Sequence, residues 1–338
     1  MDEALIITGS LNAKMEDRFM DREQVIPFQV LINGEIKKAV SLSKIGELGI
    51  SSLAFPEADQ NEVYIVPAPG VAILKLDIRT GRISRIPCSE LEDVHEIEFI
   101  NGTLWVSNTG YDEVLAINVN TQTVERRINL YDLKEPFQKN RADRSGDSSS
   151  ILVDKYHCNQ VFADYEGKLF CLVHHVWGRQ VLHQVTSKLK KQGDGGIINL
   201  ETGERIPLGL KAPHSVRKVN GNYWVFDSGN ATINIYNKSW GLIDRIQTRG
   251  WGRGAAVSDK YFYAGISATR KRYLGIIPRS QQAPNMIQVF STHTKTIVDE
   301  VLLFNIEQVN NLYLVNVSLA ERILDLTEVE FTDGSGIV

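Results

Sequence analysis

Long apolar runs, a surplus of positive charge and paired cysteines are all missing from this 338-residue chain. No stretch approaches the roughly 20 apolar residues that a helical membrane span needs. The net charge of −4 removes the electrostatic basis for nucleic-acid binding, and no basic amphipathic stretch suggests a membrane surface. Cys88, Cys158 and Cys171 are odd in number and share no metal-ligand spacing, so buried reduced thiols are expected rather than a disulfide frame. The opening MDEALIITGS has two acids and lacks the basic start and cleavage pattern of a signal peptide. A cytoplasmic protein is therefore expected, and sites such as Asn230-Ala-Thr carry no glycosylation meaning. Phosphate-binding loops, GxGxxG, GxSxG and zinc-finger spacings are absent, as are the WD40 and kelch signatures.

What the chain does have is a repeated β grammar. From His95 to Leu130 four short strands follow one another: His95–Ile100, Thr103–Ser107, Val114–Val119 and Thr123–Leu130. Asn101-Gly102 and Asn120-Thr121 supply turns. A lone four-stranded meander cannot cover both of its faces, so it needs similar neighbours, which is the logic of a propeller blade. The same order returns at His214: HSVRKVNGNYWVFDSG aligns with HEIEFINGTLWVSNTG in its His, Asn-Gly, Trp-Val and small-residue exit. Similar units are read at 4–44, 50–87, 156–208 and 252–303, with two more strands in Phe304–Val317 and another in Arg322–Phe331. The expected architecture is one all-β domain over 1–338, a six-bladed β-propeller closed by N- and C-terminal strands. Seven blades are the alternative if the two ends belong to separate blades. Long insertions fall at 131–154, 174–195 and 267–285, all on one face, where function usually sits.

The first strand of each blade would line the central channel. Aligning the units puts Ser51, His95, His157, His214, Arg253 and Glu307 at the start of those strands. A single His at a strand start is ordinarily a hydrogen-bonding residue. Three at one repeated position point to a divalent metal, with zinc or iron first and copper, manganese or calcium as alternatives. A three-histidine set leaves positions open for water or substrate. The competing readings are neutral hydrogen-bonded rings, or a pocket for an anionic or polar ligand. Arg253 would clamp an anion or offset Glu307, and Glu307 would be a fourth ligand or a general base. Asn108 and Asp227, at equivalent second-strand exits, either contact substrate, support the histidines or simply form turns. His174, Arg270 and Ser51 are further substrate-binding candidates. Trp105 and Trp224 are assigned to packing.

The run HEIEF…LWVSNTG, YHCNQVFADYEGK, GDGGIINLETGE, APHSVR, WVFDSGN, GWGRGAAV and AGISATRKR resembles a family of uncharacterised bacterial propeller-like proteins. Val216 and Asn199 depart from the family pattern, which has Pro and often Asp there. The resemblance implies a shared site at His95, His157 and His214. The three-histidine ring is also similar to that of peptidyl-amidoglycolate lyase, a six-bladed propeller with zinc, and more loosely to gluconolactonase-like and virginiamycin-lyase-like propellers. The expected activity is metal-dependent lyase or hydrolase chemistry on a small polar or anionic substrate. The rival is a non-catalytic propeller that binds a protein or glycan through its elaborated face, with Phe137, Trp177 and Tyr273 as an aromatic patch.

Overall fold

The computed structural model describes residues 3–57, 61–88, 90–133, 154–179, 192–274 and 282–332. Most of the expected insertions 131–154 and 174–195 and the middle of 267–285 therefore lie outside the described residues, and so does Phe137. The architecture is nearly all β. Strands β1 (Glu3–Ser10), β2 (Phe28–Ile32) and β3 (Glu35–Lys38) are followed by β4 (Gly49–Ala54), β5 (Glu62–Ala68), β6 (Leu74–Asp77) and β7 (Arg82–Arg85). Then come β8 (Val94–Ile100), β9 (Thr103–Asn108), β10 (Glu113–Asn118) and β11 (Thr123–Asn129), which pair in order as one antiparallel sheet. Strands β12 (Cys158–Ala163), β13 (Leu169–Val173), β14 (Gly195–Asn199) and β15 (Arg205–Leu210) make the next. Two more sheets follow: β16 (Pro213–Val219) to β19 (Leu242–Gln247) through β17 (Asn222–Asp227) and β18 (Thr232–Tyr236), and β20 (Trp251–Val257) to β23 (Ile297–Leu302) through β21 (Tyr261–Ser267) and β22 (Met286–Ser291).

The turns follow directly from the sequence. Asn33-Gly34, Asn101-Gly102 and Asn220-Gly221 all hold positive φ at both residues, the geometry that a two-residue hairpin with the native strand twist demands. Alternate side chains then point into the layers between sheets. Trp105 packs with Cys158, Val161 and Cys171 of the following sheet, and Trp224 with Phe262 of its own successor, their rings 5.0 Å apart. Both tryptophans are packing residues, as expected, and each large aromatic buried this way is worth about 2–3 kcal/mol. Cys88, Cys158 and Cys171 are all buried and outside any disulfide.

The tail differs from the sequence reading. Strand β24 (Gln308–Asn316) is one nine-residue strand, not two short ones, and it pairs antiparallel with β1 from Glu3↔Asn316 to Ser10↔Gln308. Residues Val317–Leu324 form an α-helix, α1, where the beginning of another strand is expected. The Asn316 side chain caps it by accepting the Leu319 N–H at 2.7 Å, and Leu319, Ala320 and Ile323 are buried on one face. That spacing of apolar residues is helical, and it is too short to stand out against the surrounding alternation. Among the described residues beyond it, only β25 (Glu330–Phe331) is a strand, parallel to β7.

Strand β24 also packs beside β4 on one side and β20 on the other. Its neighbours continue the series, with β4 beside β8, β8 beside β12, β12 beside β16 and β16 beside β20. The first strands of the successive sheets thus lie side by side, which is what brings residues distant in sequence to one place.

Candidate functional site

Each of those first strands carries an irregularity at the same level. Against its partner, β24 has Asn310 unpaired between Val309 and Asn311, and β4 has Ser51 between Ile50 and Ser52. Strand β8 bulges at His95 and Glu96, β12 at Asn159, β16 at Ser215 and β20 at Arg253 and Gly254. A bulge re-aims side chains, so the repeated bulges define the floor of the site. Pairing thereby puts Asn310, not Glu307, at the position of Ser51. Glu307 precedes β24. Its carboxylate accepts the backbone N–H groups of Asn12 (2.8 Å), Met20 (2.9 Å) and Phe19, with the Asn12 side chain at 3.1 Å. Both oxygens are occupied in fastening the 12–20 segment.

The histidines do meet. Ring centroids of His95 and His157 lie 4.8 Å apart, those of His157 and His174 4.2 Å, and those of His174 and His214 5.3 Å. His174 enters because its N–H donates to the His157 carbonyl at 3.2 Å, one step beyond the Cys158↔Val173 pair of β12 and β13. The partners assign the tautomers. His157 Nδ1 donates to Asp154 Oδ1 at 2.7 Å. His214 Nδ1 faces the Ala212 carbonyl at 3.0 Å and Ser228 Oγ at 2.9 Å, while Ser228 donates its own proton to the Gly252 carbonyl. Both rings therefore carry the proton on Nδ1 and present a bare Nε2. His95 has the opposite arrangement, with Nε2 3.4 Å from Asp93 Oδ2. His174 Nε2 is buried without any partner.

Burial, reinforced by neighbouring cations and imidazoles, holds His174 and His214 well below the usual histidine range. His95 is lowered too, by burial, against the opposing pull of Asp93. These rings are neutral at pH 7, the form in which imidazole donates a lone pair. Among the described residues, though, no three His, Cys, Asp or Glu side chains are disposed as a ligand set for one ion. The rings stand mostly edge to face.

Two supports of this cluster escaped the sequence reading. Asp112 is fully buried, and its carboxylate accepts the successive N–H groups of Lys155 (2.5 Å), Tyr156 (3.0 Å) and His157 (2.9 Å). That grip stabilises His157 at φ 53°, a left-handed conformation that a non-glycine residue avoids when unsupported. Ser228 ties His214 to the next sheet, as described. Neither has a local signature, because each acts on a strand remote in sequence. Asn108 and Asp227 prove equivalent to each other: Asn108 Oδ1 accepts the Glu92 N–H at 2.9 Å and Asp227 Oδ1 the Lys211 N–H at 2.8 Å. Each holds the segment that leads into a histidine-bearing strand.

Arg253 lies deep beside the rings. Its Nη1 donates to the amide oxygens of Gln308 and of Asn310 (3.1 Å), and it makes no ion pair with a carboxylate among the described residues. Burial and the nearby Arg270 push it down to about 10, against the opposing pull of Asp93. Behind the histidines, Arg217 Nη2 sits 3.3 Å from Glu96 Oε1. Burial raises Glu98 to about 7, and its Oε2 has no partner. The site thus combines imidazoles with a half-buried cation that is hydrogen-bonded to neutral amides and feels the Asp93 carboxylate only at longer range.

A family model described as a domain of unknown function (DUF4915) matches residues 181–322. No curated protein matches the chain. Among solved structures, a chain of a nidogen/laminin complex is 11% identical over 92% of this chain and 98% of its own length, with a TM-score of 0.58. A protein of unknown function from Bacteroides caccae is 10% identical over 93% and 99%, with a TM-score of 0.55. A streptogramin B lyase matches at 14% identity over 77% and 70%, with a TM-score of 0.45, too low to speak to activity. Together with the sheets, the first two likenesses define the fold class, the β-propellers. No helix among the described residues is long and apolar enough to cross a membrane.

Proposed function

We propose that this chain is a metal-dependent enzyme built on a six-bladed propeller, its ring closed where β24 joins β1, acting on a small polar or anionic substrate. The observation that carries the reading is the cluster of imidazoles from His95, His157, His174 and His214 beside Arg253, whose hydrogen-bond acceptors are neutral amides. Donor chemistry supports a divalent ion, zinc or iron first. Two rings present a bare Nε2, a third has a buried Nε2 with nothing bound to it, and Asp154 and Ser228 hold Nδ1 as outer-shell groups do around metal-bound histidine. His95, His157 and His214, with His174, are the residues that would hold it.

When bound, such an ion polarises an oxygen or lowers the pKa of water. The protein groups do the rest. Asp154, Asp112 and Ser228 fix the rings. Arg253 receives an anionic group of the substrate and stabilises negative charge that develops there, at a place where few waters compete. Glu98, poised to hold or release a proton near pH 7, lies three residues along β8 from His95. Lyase or hydrolase chemistry fits this set. Elemental analysis of protein purified without a histidine tag tests the reading. About one equivalent of a transition metal is expected, lost in His157→Ala with the fold retained; less than about a tenth of an equivalent in the wild type overturns it.

A further inference from the structure

Beside the imidazole cluster opens a cleft of about 1590 Å³ between the β16–β19 and β20–β23 sheets. Ordinary small-molecule pockets hold about 300–1,000 Å³, so this one has room for a longer ligand. It reaches the cluster at two points. Trp251 lines it, and its ring lies 6.0 Å from that of His214. Gln308 also lines it, and its side-chain oxygen accepts from Arg253.

The walls have a definite chemistry. Lys211, Arg245, Arg249 and Arg270 contribute four cationic side chains, of which Arg249 is held by Glu300 at 2.6 Å, against one lining acid, Asp227, in a chain whose net charge is −4. Asp227 has its oxygens engaged by the Lys211 N–H and by Asn230, so it presents little free charge to a ligand. Trp251 is 38% exposed, unusual for a residue at the start of a first strand. Its flanking residues are glycines, and a Cβ at Gly250 or Gly252 would come within 2.6 Å of Ala283 or 2.3 Å of Phe226. A flat apolar ring between cations suits a sugar, whose C–H face packs on the indole while its acid groups meet the guanidinium and ammonium groups.

We infer that the Trp251 cleft binds an anionic saccharide, carboxylated or sulfated, and leads one end of it to the imidazole cluster. This rests on the cluster being the reacting end, but binding in the cleft is separable from metal.

Isothermal titration at 0.15 M salt tests it, with a tetrasaccharide of galacturonic acid, its neutral methyl ester, a sulfated tetrasaccharide, an acidic hexapeptide and a single-stranded oligodeoxynucleotide as probes. Binding of one or both anionic tetrasaccharides is expected, the stronger arm identifying the acid group, with the ester, peptide and oligonucleotide at least about tenfold weaker. Trp251→Ala and Arg245→Gln should each weaken the saccharide about tenfold, and His157→Ala should keep it bound. Arg245→Gln, on an outer strand, serves if the tryptophan variant fails to fold. The inference is overturned if neither acidic saccharide binds, if the ester, peptide or oligonucleotide binds as well, if Arg245→Gln changes nothing, or if His157→Ala abolishes binding. A wild type that binds the saccharide but holds no metal would sink the metalloenzyme reading alone.

Discussion

The rings of His157 and His174 lie 4.2 Å apart and tilted by 31°, because the His174 N–H reaches the His157 carbonyl just past the end of a strand pair. Only His157 belongs to a first strand's approach. The second imidazole arrives from the neighbouring strand, and the cluster therefore has four members rather than three.

Orientation of His157 depends on Asp154, 2.7 Å from Nδ1. Asp154→Asn keeps the shape but removes the anionic acceptor. Metal affinity is expected to fall about 10–100-fold, measured by competition with a chromogenic chelator, with an unchanged melting temperature in chelator. An unaltered affinity would show that Asp154 does not serve the ring.

Glu307 is expected to matter for stability and not for metal. Glu307→Ala strands the N–H groups of Asn12, Phe19 and Met20, at a cost of roughly 2–4 kcal/mol in denaturant unfolding. The metal-to-protein ratio should stay as in the wild type. A drop in that ratio with little loss of stability would restore Glu307 as a ligand.

Arg253 carries a buried charge whose hydrogen-bond acceptors are neutral amides. Such a charge does little for stability, so Arg253→Gln should unfold within about 1 kcal/mol of the wild type. Affinity for a small dianion such as oxalate should fall at least about tenfold, read by calorimetry. Retained oxalate binding would remove Arg253 from the anion site.

The pH dependence of Glu98 has a definite sign. Its folded value is raised to about 7 from an ordinary 4.5, mainly by burial and further by Glu96, against the pull of Arg217. Between those values the folded state holds a proton that the unfolded chain has released. The contribution to stability is therefore complete below pH 4.5 and disappears as pH rises through 7. Glu98→Gln cannot lose a proton, so its stability relative to the wild type should improve from pH 5 to pH 8, by on the order of 1–3 kcal/mol. A difference that is flat across that range would mean channel water solvates the carboxylate fully.

Much of this was legible residue by residue. Asn101-Gly102 and Asn220-Gly221 announced hairpins, and His95 and His214 stood at matching places in two copies of one pattern. Those signals are local: a turn dipeptide needs positive φ wherever it occurs, and alternation reports burial on either side of a strand. Asp112, Ser228 and Asn310 gave no such signal. Their partners, His157, His214 and Arg253, sit on other strands or other sheets, and nothing in the adjacent sequence encodes those distances.

The amino-acid order alone determined that the chain folds as repeated β-meanders and that imidazoles recur at strand starts, since period and turn chemistry act within a few residues. Tertiary structure decided the rest. Bulge registry moved the aligned position from Glu307 to Asn310, and the pairing of β13 with β12 within one sheet added His174 to the cluster. It also left Arg253 hydrogen-bonded to neutral amides rather than paired with Glu307. Register and charge neutralisation are settled between strands, by backbone pairing and desolvation, and neither can be read along one of them.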